Sequence, residues 1–416
     1  MKRFLLLLIL IPSLALSQNP IIPGFHPDPS IVRVGEYYYI VNSSFHYFPG
    51  VPIHRSSDLR HWELIGNVLD RDSQLPLGSA NSWQGIFAPT IRYNDGIYYM
   101  VTTNVSVGRN FFVTATDPAG PWSEPIWLDQ GGIDPSFYFE GGRCYLVSNP
   151  DNSITLCEID PSSGRQLSPS KVIWRGTGGR YPEGPHIYHK DGWYYLLISE
   201  GGTEMAHSLT IARSRNIDGP YKPGPSNPIL THCSLAAQDS PIQGTGHGDF
   251  VQSPDGSWHV VFLAYRRFGG DYHHLGRETF IAPVTWLSGW PVINDGHPIA
   301  LDLAATPVTT VSTPPFTGPE WVHIQNPERD NYTRIGSALV LRGNGSSLTT
   351  GQHPTYLGRR QEGPDICLDA TLTALTDSTI AGIAVYQIDG GHLDLGFESD
   401  TTLTLRYQLK SINHLA

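Results

Sequence analysis

Short apolar runs separated by glycine turns recur along the first three quarters of the chain. Residues 31–34 form an apolar run, Gly35 a turn, and 37–41 a second run. The pattern returns at Ile91, Asp95-Gly96 and 97–101, at Phe137, Gly141-Gly142 and 144–147, at Ile187, Asp191-Gly192 and 193–198, and at Phe250, Asp255-Gly256 and 258–263. Asp-Gly between apolar runs predicts a β-hairpin, because both turn residues tolerate positive φ. No stretch of 18–305 holds a helical apolar period for three turns.

The turn glycines 35, 96, 142, 192 and 256 lie 61, 46, 50 and 64 residues apart. Repeats of roughly this period predict the blades of a propeller. The repeat extends past the hairpin. His54-Arg55-Ser56-Ser57-Asp58 before Trp62, Thr114-Ala115-Thr116-Asp117-Pro118 before Trp122, and Ala212-Arg213-Ser214-Arg215-Asn216 before Tyr221 each read as strand, polar turn and outer aromatic. The expectation is an all-β chain: a five-bladed β-propeller over 18–305, then a partial, truncated β-sandwich over 320–416. The Thr-, Ser- and Pro-rich stretch 306–319 reads as a linker. In the sandwich, strands are expected at 338–341, 366–372, 379–385, 393–395 and 403–407.

Ahead of the repeats stand Met1-Lys2-Arg3, an apolar run over 4–11, and Ala15-Leu16-Ser17. This has the charged start, apolar middle and small-residue end of a secretory signal over 1–17. Secretion is therefore expected, with no membrane span in the mature chain. A net charge of −11 argues against nucleic acid as a partner. Four cysteines, Cys144, Cys157, Cys233 and Cys367, include no Cys-x-x-Cys pair for zinc. Cys144 and Cys157 fall on neighbouring strands and are either a disulfide or two buried thiols. Asn42, Asn104, Asn331 and Asn344 open glycosylation sequons. Oligomeric state has no signature in the chain.

In a propeller the first strand of each blade lines the central channel. The points that lead into those strands carry Asp28, Ala88, Asp134, Glu183 and His247. Alone, Asp28 reads more readily as a turn or capping aspartate, Glu183 as a solvated loop glutamate and Asp134 as an Asp-Pro turn. Brought to one axis, three carboxyl groups can divide the labour of glycoside hydrolysis, in which one acid must be protonated and another ionised. Asp28, the shortest acid, sits between Pro27 and Pro29, which predicts a stiff, extended backbone and suits a base that activates water. Glu183 has the reach of a general acid, and Asp134 can tune that acid and hold the sugar. His247 can position water or hold a structural calcium; no cofactor is required. Arg277 suits paired hydrogen bonds to sugar hydroxyls, and Phe45 and Phe87 suit the walls of a sugar subsite.

The motifs Pro23-Gly24-Phe25-His26-Pro27-Asp28-Pro29-Ser30, Gly132-Ile133-Asp134-Pro135-Ser136, Glu183-Gly184-Pro185-His186, Gly244-Thr245-Gly246-His247-Gly248-Asp249 and Gly276-Arg277-Glu278-Thr279 carry a resemblance. The chain resembles glycoside hydrolase family 43, in its fungal secreted β-xylosidase/α-L-arabinofuranosidase branch. The resemblance implies exo-acting hydrolysis with inversion, releasing terminal xylose or arabinose from hemicellulose oligosaccharides. It implies Asp28 as general base, Asp134 as the residue that tunes and orients the acid, and Glu183 as general acid. Arg277 would bind sugar, and His247 would sit by a central calcium or water. Phe87 stands in Gly85-Ile86-Phe87-Ala88-Pro89 where many relatives carry Trp. Two rival readings are a carbohydrate-binding propeller without catalysis and a retaining fructan-type hydrolase. The latter group opens on Asn-Asp-Pro-Asn, which this chain lacks.

Overall fold

The structure is a computed structural model and describes residues 19–270, 272–301, 316–349, 352–373, 375–376, 379–399 and 401–409. The signal stretch 1–17 and most of the linker lie outside the described residues. Among the described residues the only helices are short 3₁₀ turns.

Each repeat forms one antiparallel sheet whose strands pair in chain order. The first holds Ser30–Val34, Tyr37–Val41, Gly50–Ser56 and Glu63–Leu69. The second holds Thr90–Asn94, Ile97–Asn104, Arg109–Ala115 and Ile126–Trp127. The third holds Ser136–Glu140, Arg143–Ser148, Ile154–Ile159 and Lys171–Trp174. The fourth holds Glu183–Lys190, Trp193–Glu200, Ser208–Ser214 and Lys222–Pro223, with Leu230–Thr231 added beside its third strand. The fifth holds Ile242–Gln252, Trp258–Arg266, Glu278–Leu287 and Trp290–Ile293.

All five turn glycines have positive φ, from +60° to +86°. At Gly35, Gly96, Gly142 and Gly256 a Cβ would meet nothing, so backbone conformation and not space requires glycine there.

First strands touch the first strands of the sheets on either side, and the fifth returns to the first. The apolar faces are buried between adjoining sheets. Ile53, Val68, Ile91, Met100 and Val113 fill the space between the first and second, and Leu197, Ile211, Val260, Phe262 and Phe280 that between the fourth and fifth. Each such aliphatic or aromatic side chain contributes about 1.5–3 kcal/mol by leaving water. The turn aromatics fold back onto these layers: Trp122 and Tyr221 are buried and Trp62 half-buried. The circle closes where Ile31 and Ile40 meet Val251, Val261 and Ile281. There the Asn19 side chain exchanges hydrogen bonds with the Ile281 backbone, both at 2.9 Å, and Ile21 N–H donates to Thr279 O.

Towards the C-terminal end, Ala381–Ile388, Gly391–Ser399 and Thr402–Leu409 form a three-stranded sheet, and Tyr332–Ile335 with Ala338–Leu341 a hairpin. The strand expected at 366–372 does not form. Among the described residues no strand pairs with it, and Ile366, Leu368 and Leu372 are exposed. This C-terminal region is tied to the ring. His323–Ile324 pairs with Tyr47–Phe48, Arg360 Nε donates to Phe25 O at 2.8 Å, and Ser82 N–H donates to Asp389 Oδ2 at 2.6 Å.

Cys144 and Cys157 lie on adjacent strands but out of register: Cys144 faces Ile159 and Cys157 faces Leu146. Both are buried free thiols, so the disulfide alternative does not hold. Burial raises both thiols above their ordinary range, Cys157 to about 11. The sequons fare similarly. Asn42 and Asn104 are fully buried, and their Nδ2 atoms already donate, Asn42 to His26 O, Pro27 O and Thr279 Oγ1, Asn104 to Pro76 O. Neither can carry a glycan in the folded chain. Asn331 is also buried, with Nδ2 on Glu328 Oε2.

Candidate active site

Asp28 is held by everything around it. The Asn42 amide donates to His26 O and Pro27 O, Ser43 N–H donates to Pro27 O, and Thr279 Oγ1 donates to His26 O at 2.8 Å. These bonds turn the chain so that Asp28 adopts φ +53°. The flanking prolines predict an extended backbone there; the structure replaces it with a left-handed one, and tertiary hydrogen bonds hold the strain. Asp134 and His247 repeat the conformation, with φ +52° and +44°. Asn149 Oδ1 accepts the Ile133 N–H at 2.8 Å, and the His247 N–H donates to Ser199 Oγ at 2.6 Å.

These turns bring the expected residues together. One carboxyl oxygen each from Asp134 and Glu183 and one ring nitrogen of His247 all lie within 4.8 Å of one another. His247 Nδ1 is 3.9 Å from Asp28 Oδ1, and Arg277 Nη1 donates to the same oxygen at 2.9 Å. Ser43 Oγ donates to Asp28 Oδ2. Gly184 packs under the His247 ring so closely that a Cβ would sit 2.9 Å from it. Ala88 is buried and brings no functional group.

The aromatic wall is wider than expected. Phe45 lies 5.4 Å from Phe87 and 5.7 Å from Phe25, centroid to centroid, and the Arg277 guanidinium sits 5.4 Å from the Phe45 ring. Beside the acids opens a cleft of about 440 Å³ lined by Glu183, Ile133, Asn149, Asp151, Asn152 and Tyr181. A larger concavity of about 650 Å³ lies at the outer edge of the first two sheets, between Arg55, Glu63 and Asp117, away from the acids.

The cluster sorts its carboxyl groups electrostatically. Burial alone raises Asp28, but Arg277, His247 and the Ser43 hydroxyl outweigh it and hold the carboxyl below its usual range. Glu183 moves the other way, to about 7, through burial and the nearby Asp28 charge, with Arg277 opposing. Asp134 is also raised, by burial and then by Glu183 and Asp28, although the Gly184 N–H favours its charge. Glu183 and Asp134 thus hold a proton between them at a pH where isolated carboxylates are bare. Burial lowers His247, so its imidazole stays neutral.

Several contributors carry no local sequence signal for the site, and Ser43 and Asn42 carry only that of a sequon. Buried His207 places Nε2 3.7 Å from Glu183 Oε1. Below the acids, Asp249 takes Arg92 Nη1 at 2.8 Å, Ser30 Oγ at 2.7 Å, the Ile31 N–H and the Tyr188 hydroxyl, joining the first strands of four sheets. Arg92 Nη2 also meets His186 Nδ1 at 2.8 Å. Asp249 belongs to the motif around His247, but nothing local points to Arg92, 157 residues away.

Comparison with known proteins bears on this arrangement. The model of glycosyl hydrolases family 43 matches residues 17–291, and that of the beta xylosidase C-terminal Concanavalin A-like domain matches 313–414. A xylosidase/arabinosidase of Butyrivibrio fibrisolvens is 42% identical over 92% of this chain and 80% of its own. A non-reducing end alpha-L-arabinofuranosidase of Bacteroides ovatus is 41% identical over 91% and 75%. The crystal structure of a xylan beta-1,4-xylosidase from Bacillus halodurans superposes with a TM-score of 0.82 at 36% identity, over 94% of this chain and 82% of that one. The matched relatives are mostly bacterial, with a fungal one from Humicola insolens, so they do not select the fungal branch. The repeats, the buried acids and the long matches converge: the chain is a glycoside hydrolase and belongs to glycosyl hydrolases family 43.

Proposed function

We propose that this chain is an exo-acting, inverting hydrolase that releases terminal xylose or arabinose from hemicellulose oligosaccharides. The five sheets serve as five blades around one channel, and the stretch 1–17 directs the chain out of the cell. The observation that carries the mechanism is the opposite displacement of two carboxyl groups in one cluster: Asp28 is lowered while Glu183 is raised to about 7.

Asp28, ionised, takes a proton from water as the water oxygen attacks the anomeric carbon. The glycosidic C–O bond breaks, its electrons go to the leaving oxygen, and Glu183 donates its proton there. Asp134 keeps a proton close to Glu183 and orients it. Arg277, already on Asp28, has further N–H groups for sugar hydroxyls, and Phe45 and Phe87 wall the sugar ring. His247, neutral and 3.9 Å from Asp28, positions water.

No cofactor enters these steps. Calcium takes six to eight oxygen ligands. The cluster at His247 offers two carboxylates and a ring nitrogen, so water would complete most of the shell, and a cation there competes with the Glu183 proton. Turnover that persists in a chelator is the expected result.

The test is NMR of the first-formed anomer from xylobiose. Inverted product supports the reading. Retained configuration, or sugar binding with no reducing sugar released, overturns it, the second in favour of a binding module.

A further inference from the structure

Two glycine-rich stretches have no part in the chemistry above: 176–179, ahead of Glu183, and 201–204, after the second strand of the fourth sheet. The structure joins them. Glu200, fully inside the protein, accepts the Thr177 N–H at 2.9 Å, the Gly179 N–H at 2.9 Å, and the Thr177 and Thr210 hydroxyls at 2.8 and 2.7 Å. A Cβ at Gly176 or Gly179 would come within 2.5 or 2.8 Å of the Glu200 side chain, so only glycine lets the loop wrap it. The next residue is clamped from the other stretch. Gly201 N–H donates to Arg180 O at 2.7 Å, and Arg180 Nη2 pairs with Glu204 Oε2 at 2.7 Å.

What these clamps present is Tyr181. Its backbone is left-handed, φ +52°, which is costly for an aromatic residue, and its side chain is 54% exposed. The ring is backed by Gly202, where a Cβ would lie 3.3 Å away, and the Arg180 guanidinium lies over it, 5.4 Å from the centroid. Asn149 Nδ2 fixes Pro182 O at 3.0 Å, setting the step from Tyr181 to Glu183. Tyr181 lines the cleft that Glu183 also lines, together with Asn149, Asp151 and Asn152. Strain and an exposed aromatic, held from two sides and aimed into a cleft, mark a ligand platform.

Building on the hydrolase reading, in which Glu183 protonates the leaving oxygen, we infer that Tyr181 is the platform for the leaving-group sugar. The leaving sugar must lie on the open side of the acid, which is this cleft. Its pyranose ring stacks on Tyr181, and Asp151 and Asn152, which line the same cleft, supply polar groups for its hydroxyls. The Arg180–Glu204 pair is a positioning element.

The experiment compares xylobiose, whose leaving group is a sugar, with xylosyl fluoride, whose leaving group is a single atom. In Tyr181→Ala the ratio of kcat/KM on xylobiose to that on xylosyl fluoride should fall about tenfold, and Tyr181→Phe should restore it. Glu204→Gln should raise KM for xylobiose with little change in kcat. An unchanged ratio in Tyr181→Ala, or an equal loss on both substrates, overturns the platform and leaves the hydrolase reading intact. A native chain inactive on both substrates would remove that reading as well.

Discussion

Arg277 Nη1 stands 2.9 Å from Asp28 Oδ1, and the guanidinium acts on the charge of both catalytic candidates. Arg277 lowers Asp28 and also opposes the rise of Glu183. Removing it should therefore move both limbs of the pH profile in the same direction. In Arg277→Ala, the acid limb of kcat/KM, governed by ionisation of Asp28, should shift to higher pH. The alkaline limb, governed by loss of the Glu183 proton, should shift to higher pH with it. Activity at the optimum should fall about tenfold or more from lost orientation. A profile of unchanged shape and position would show that the contact does not set these charges.

With Glu183 at about 7, the native enzyme should lose kcat/KM as pH rises through neutrality. Glu183→Gln should lower kcat on xylobiose by about 10²–10⁴. It should lose far less on a dinitrophenyl glycoside, whose leaving group needs no proton. Asp28→Asn should be damaged on both substrates, because water attack is common to them. Equal losses in Glu183→Gln on the two substrates would take the acid role away from Glu183.

The repeat made the acids legible. Asp28, Asp134 and Glu183 stand at matching points of a recurring hairpin, and a closed ring of such hairpins brings matching points together. The backbone at Asp28 departs from the expected extended form for a physical reason. Proline sterics predict an extended Asp28, but Asn42, Ser43 and Thr279 hold the preceding carbonyls from elsewhere in the chain and force positive φ. Local rules do not see partners 15 and more than 250 residues away. The same blindness hid Arg92 and His207, whose roles exist only across sheets. The 366–372 stretch failed in the opposite sense, since its apolar pattern predicts a strand but a strand also needs a neighbour.

Asp249 should be structural in a way the three acids are not. It is fully buried and holds Arg92, Ser30 and Tyr188. Asp249→Ala strands the half-buried Arg92 guanidinium, a loss of about 3–5 kcal/mol for a broken buried pair. The thermal midpoint should drop by several degrees. A variant that melts with the native chain would mean that water replaces the carboxylate without cost.

Thiol titration checks the cysteines. Cys233 and Cys367 are exposed, whereas Cys144 and Cys157 are buried with raised thiols. Two groups should react with an aromatic disulfide reagent in the native chain, and all four in denaturant without added reductant. Only two in denaturant would reveal a disulfide.

Asp134 offers a test in which function and stability pull apart. Burial, then the Glu183 and Asp28 charges, raise its folded-state pKa, while in the unfolded chain it titrates as an ordinary carboxylate. For a raised acid, the folded state binds the proton more tightly than the unfolded one. Its contribution to stability is fully present below the unfolded pKa and is lost as pH rises through the folded pKa. At alkaline pH the native chain therefore carries an unfavourable buried charge that Asp134→Asn removes. The amide oxygen can still accept the Gly184 N–H. The variant should melt about 2 °C above the native chain at pH 8, with the gap closing towards pH 4, while turnover of xylobiose falls. Equal destabilisation at both pH values would mean that Asp134 is held there by its hydrogen bonding and not against its charge.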